Sequence, residues 1–175
     1  MLDRSVAGRS TQSRFGRGIL AGLAWALPST IWMFDLTPPG WIASAFLHAG
    51  FVGIALALVP STRGRRPAIV GALTLAEFVR WRVPFGGIPL ATIPIGQAAG
   101  PLAPVVRVAG PLLLVALVVT VGCALSALVD LLRSPRRATK VALIAIGSVS
   151  AALGLAAIAP TGRQVGTIEA AVVQG

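Results

Sequence analysis

The sequence predicts an all-α integral membrane protein, with about five transmembrane helices and a Pro/Gly-rich re-entrant or interfacial segment. Three observations carry that expectation. First, 55% of the 175 residues are hydrophobic and 11% are charged, with a mean hydropathy of +0.85. A soluble domain carries roughly 25% charged residues and needs them to cover its surface. Second, 15 Lys and Arg against 5 Asp and Glu, a net charge of +10, fall in short groups between apolar runs. Third, residues 83–104 carry no charge but include Pro84, Pro89, Pro94, Pro101 and Pro104. Proline at that density excludes one straight helix, and the stretch is too apolar for an ordinary solvated loop.

The elements follow in order. Residues 1–17 are polar and basic and read as a frayed cytoplasmic N-terminus. Residues 18–34 form the first apolar run, a little short for a span. Pro38 and Pro39 lie in the stretch 35–40, read as a helix-ending turn. Residues 41–59 are the second run, and 60–67 a short basic loop. Residues 68–79 are a third, shorter run that passes into the charged stretch 77–82. After the proline-rich segment, residues 112–132 form the cleanest span, with no charge before Asp130. Residues 134–140 read as a second basic loop, 141–159 as the last span, and 168–173 as a β-type run. The membrane domain is thus expected over residues 18–160.

The charge pattern sets an orientation. Arg4, Arg9, Arg14 and Arg17, then Arg63, Arg65 and Arg66, then Arg133, Arg136, Arg137 and Lys140 all fall on one side if five spans cross. Positively charged loops stay in the cytoplasm, so the N-terminus is placed inside and the C-terminus outside. Nucleic acid is excluded as a partner, because no aromatic-rich polar surface accompanies the charge.

Few residues carry chemistry. Glu77 and Arg80 stand three apart, near one helix face. The structural reading is an ion pair anchoring a helix end; the functional one is a headgroup or substrate site where Arg80 meets phosphate. Position alone does not separate the two, and the structural reading is the default. The run Phe85-Gly86-Gly87-Ile88-Pro89 lacks the Lys-Ser/Thr ending of a phosphate loop. Gln97 is the strong hydrogen-bonding side chain of the segment and could hold its backbone or face a ligand. Cys123, the single cysteine, lies among Val121, Gly122, Ala124 and Leu125, the setting of a core residue and not of a reactive thiol. His48, beside Leu47 and Phe46, reads as a helix-packing histidine. Gly18 and Gly22 form a G-x-x-x-G pair suited to close helix contact. No metal or cofactor site is expected.

A stretch of the chain resembles a known family. Ala76-Glu77-Phe78-Val79-Arg80, then Gly86-Gly87-Ile88-Pro89, Gln97, Gly100-Pro101-Leu102-Ala103-Pro104 and Gly110 resemble the membrane domain of bacterial apolipoprotein N-acyltransferase. That family shows a Glu-x-x-Arg helix end, a Gly-Phe-Pro-Trp motif and a Gln before Pro-Leu. Leu90 stands where the family has Trp, and Ile95-Gly96 where it has Tyr-Ser. The tail Ile168-Glu169-Ala170-Ala171-Val172-Val173-Gln174-Gly175 resembles the first strand of that family's nitrilase-like domain.

The resemblance implies a place in the bacterial inner membrane and a role in lipoprotein synthesis. The full enzymes move an acyl chain from a phospholipid, through a cysteine thioester, to the α-amino group of a lipoprotein cysteine. It implies that residues 161–175 begin an extracytoplasmic nitrilase-like domain whose Glu-Lys-Cys triad this chain lacks. The chain is therefore expected to be inactive alone, with a partner chain supplying the missing domain. Glu77, Arg80, Pro89 and Gln97 are the membrane positions that map onto the family. A competing reading is a non-catalytic scaffold for a polyprenol-phosphate mannose synthase.

Overall fold

The computed structural model describes residues 6–131, 135–158 and 166. It is helical, and the described residues contain no strand. The β-type run at 168–173 lies outside them. Five long helices follow one another: α1 (Thr11–Ser29), α2 (Pro38–Leu58), α3 (Arg65–Arg80), then, past a short α4 (Ile93–Gly96), α5 (Val106–Leu131) and α6 (Pro135–Ile158). Single 3₁₀ turns stand at Ile31–Phe34 and Ala103–Val105.

The helices start earlier than the apolar runs do. Helix α1 begins seven residues before Gly18, where Ser10 Oγ accepts the Ser13 N–H at 3.3 Å. Arg14 and Arg17 are therefore helical and not part of a frayed tail. Helix α3 opens at Arg65 and α6 at Pro135, so the two basic loops are partly helix ends. Arg and Lys are good helix formers, and their stems can lie along apolar surface while the charge reaches out. Hydropathy alone misses such turns. The pair Pro38-Pro39 likewise starts a helix where a helix-ending turn was expected. Proline lacks only an N–H that the first turn would not use, and Thr37 Oγ1 caps the helix by accepting the Gly40 N–H at 3.3 Å.

Helix α1 packs along α2, α2 on α3, α3 on α5 and α5 on α6. The first contact is backbone to backbone. A Cβ on Gly18 would stand 2.6 Å from Gly53 Cα, and one on Gly22 would stand 2.5 Å from Ala49 Cα. The G-x-x-x-G pair thus marks a real close approach. Arg14 Nη2 crosses the same contact and donates to the Ala57 carbonyl at 3.0 Å. One buried cluster joins Val6, Leu56, Val59 and Ile69, with Val119 and Cys123 against it. Another joins Val105 and Leu117 to Ala152 and Ala156 of α6.

Helix α5 is interrupted near its start. Ala109 leaves helical geometry and Gly110 takes φ 73°, ψ −177°, after which Pro111 opens the long straight stretch. Among the described residues, two helical stretches are long and apolar enough to cross a membrane, α2 and Ala103–Val129. Helix α6 holds a shorter apolar stretch, Ala142–Ile158. Leu20, Ile54, Leu58, Ile144 and Ile158 all point outward and are more than half exposed. Water disfavours so much outward apolar surface; lipid does not.

Candidate functional site

Helix α3 ends on a buried ion pair. Glu77 and Arg80 are 5% and 4% exposed, facing α1, α2 and the proline-rich segment. Arg80 Nη2 and Nε both donate to Glu77 Oε2, at 2.5 and 3.1 Å. The pair also holds the segment. Arg80 Nη1 donates to the Leu90 carbonyl at 3.2 Å, and Glu77 Oε1 accepts the Ile93 N–H at 3.4 Å. Each guanidinium nitrogen therefore donates, and each carboxylate oxygen accepts, inside the protein. The Arg80 guanidinium also lies 5.7 Å from the Trp25 ring centroid on α1.

His48 of α2 completes the arrangement. Its Nδ1 lies 2.7 Å from the Ser44 carbonyl oxygen, and its Nε2 lies 3.3 Å from the Leu90 carbonyl oxygen. Both facing groups are carbonyl oxygens, so each contact is a hydrogen bond only where that ring nitrogen carries a proton. The Leu90 carbonyl is thus the point where α2, α3 and the irregular segment meet. Buried polar groups must find partners within the protein, and satisfied networks of this kind hold a single geometry.

Above this network lies a cavity of about 290 Å³. Ala21, Trp25, Phe51, Val52, Leu73 and Ala76 form its apolar wall, with His48, Glu77 and Arg80 on its polar side. The wall comes from three helices and from Ala91 and Ile93 of the segment. It can accept an apolar group, and the three polar side chains are already engaged with one another or with backbone.

Residues 2–124 match the apolipoprotein N-acyltransferase N-terminal domain. The chain belongs to that family. The match covers α1, α2, α3, the proline-rich segment and most of α5, and it includes every residue of the cavity and its network. No solved structure matches the chain.

Of the four family-like positions, the fold brings Glu77 and Arg80 into direct contact. Pro89 is exposed and Gln97 half-buried, and neither lines the cavity. Pro89 enters only as the neighbour of Leu90. Gln97 caps α4 through its backbone, its N–H donating to the Pro94 carbonyl at 3.1 Å. The packing assignment of His48 holds, since the ring is buried and hydrogen-bonded. Its link to Leu90 was not foreseen, nor was Trp25. The available signal was that His48 is the sole histidine and Trp25 an aromatic in the first apolar run.

Proposed function

We propose that this chain is the membrane domain of an apolipoprotein N-acyltransferase-like protein, and that its cavity holds one hydrocarbon tail of a phospholipid. The observation that carries the reading is the cavity itself: apolar walls closed by an ion pair whose atoms are already partnered. A free guanidinium would grip a phosphate, but Arg80 is committed to Glu77 and Leu90. The site therefore recognises a chain and not a headgroup.

The domain sits in the bacterial inner membrane with five crossings, the N-terminus cytoplasmic and the C-terminus extracytoplasmic. Phospholipid donor and lipoprotein acceptor are the family's substrates. The acyl-transfer chemistry lies outside the described residues, because Cys123 packs against the Leu56–Ile69 cluster and takes no part in the cavity. Residues 161–175 begin the extracytoplasmic domain that supplies that chemistry.

The test uses a phospholipid carrying a photoreactive group near the end of one tail, in nanodiscs. Crosslinks are expected at Phe51, Leu73 or Trp25, and Ala76→Phe, which fills the cavity, is expected to remove them. Crosslinking that ignores Ala76→Phe would defeat the reading. Stable co-purification with a mannosyltransferase and no lipid crosslink would favour the scaffold instead.

A further inference from the structure

The turn after α3 has a shape that the cavity does not explain. Phe85 is 96% exposed and Val83 53% exposed, so two large apolar side chains stand off the surface at one tip. Arg82, also exposed, holds its guanidinium 3.9 Å from the Phe78 ring centroid, at the base of the same tip. The backbone beneath is closed on itself. The Arg82 and Val83 N–H groups both donate to the Val79 carbonyl, at 2.9 Å each. The Gly87 N–H donates to the Pro84 carbonyl at 2.8 Å, and the Ile88 N–H donates to the Arg80 carbonyl at 2.9 Å. Pro84 has no N–H to satisfy.

We propose that residues 82–87 form a membrane-interface knuckle. Phe85 and Val83 enter the top of the acyl layer, and Arg82 stays at the level of the lipid phosphates. Three features point to lipid as the occupant. Exposed aromatic and aliphatic side chains at the end of a membrane helix suit the boundary between headgroups and tails. The adjacent cation complements an anionic headgroup and can snorkel to it. The hydrogen bonds at the base of the turn lower the cost of placing it against a layer poor in water. The inference rests on the reading that α2 and its neighbours lie in the bilayer.

The experiment places a single fluorophore on a cysteine, in the full chain with Cys123→Ser as background. Three positions are compared: Phe85→Cys at the tip, Ile54→Cys on the outward face of α2, and Thr62→Cys in the basic loop. All three native side chains are exposed, so the fold is retained. The protein is held in nanodiscs of phosphatidylethanolamine and phosphatidylglycerol, with lipid brominated high on the acyl chain or with aqueous iodide. The Phe85 probe is expected to be blue-shifted and quenched by brominated lipid, while the Thr62 probe is quenched by iodide. A Phe85 probe that follows Thr62, with Ile54 quenched by lipid, overturns the knuckle alone. A Phe85 probe shielded from both quenchers also overturns it, in favour of a protein contact. An Ile54 probe untouched by brominated lipid removes the bilayer reading, and the knuckle with it.

Discussion

Glu77 offers one carboxylate oxygen to two nitrogens of Arg80, at 2.5 and 3.1 Å, and keeps the other for the Ile93 N–H. The pair is therefore a clamp on the irregular segment as much as an ion pair. Glu77→Ala leaves a buried guanidinium without its counter-charge, and such losses cost roughly 3–5 kcal/mol. Arg80→Lys keeps the charge but cannot reach Glu77 and Leu90 together. It is expected to cost about 1–2 kcal/mol, the range of a lost buried hydrogen bond. Thermal unfolding of the purified protein checks both. A stable Glu77→Ala protein would contradict the clamp.

The contact between α1 and α2 makes a separate prediction. Gly22→Ala puts a methyl group against Ala49 Cα, at a site where a Cβ would stand 2.5 Å away. Overpacking of this kind costs typically about 1–3 kcal/mol. Gly71→Ala, in α3 with nothing within 4 Å of the added carbon, is expected instead to stabilise by roughly 0.5–1 kcal/mol through helix propensity. Opposite signs in the same unfolding assay are the expected result. Equal effects would mean that the helices stand further apart.

For Cys123, the expectation is chemical silence. The residue packs against Leu56, Val59 and Ile69 in the middle of the bundle. Incubation with labelled phospholipid should yield no hydroxylamine-sensitive adduct. A Cys123→Ala substitution in a complete enzyme should leave the acyl-transfer rate unchanged. A labelled thioester lost in Cys123→Ala would refute this.

Topology can be read directly. A reporter active only outside the cytoplasm, fused after Gly175, is expected to be active, and one fused at Thr62 inactive. The reverse pattern would invert the proposed orientation, and two reporters active on the same side would break the five-crossing order.

Much of the helical frame was legible because lipid-facing and core positions are both apolar, so the runs stand out without any periodicity. The ends were less legible. Arg65, Arg66 and the Pro38-Pro39 pair look like loop residues in isolation, yet Arg65 and Pro38 each open a helix, the second capped by Thr37. At the site, the spacing of Glu77 and Arg80 was enough to pair them, since three residues make most of a helical turn. Their hold on Leu90 and Ile93 was not readable. It joins backbone groups ten or more residues away, and backbone groups look alike in every sequence. The placing of His48 was hidden for the same reason, because one of the two carbonyls its ring faces lies 42 residues on. Pro89 and Gln97 enter through the resemblance to the family, and neither lines the cavity.

The break at Ala109–Gly110 has a consequence for how the gene tolerates change. At φ 73° with ψ near 180°, a side chain collides with its own backbone, and only glycine visits that region freely. Nothing crowds Gly110 from outside, so size is not the constraint there. A library of replacements at this codon should therefore return glycine almost alone, with alanine as poorly tolerated as leucine. Its neighbour Pro111 should vary more readily. A position that rejects small and large residues equally, in open space, is the genetic signature of a joint in the main chain.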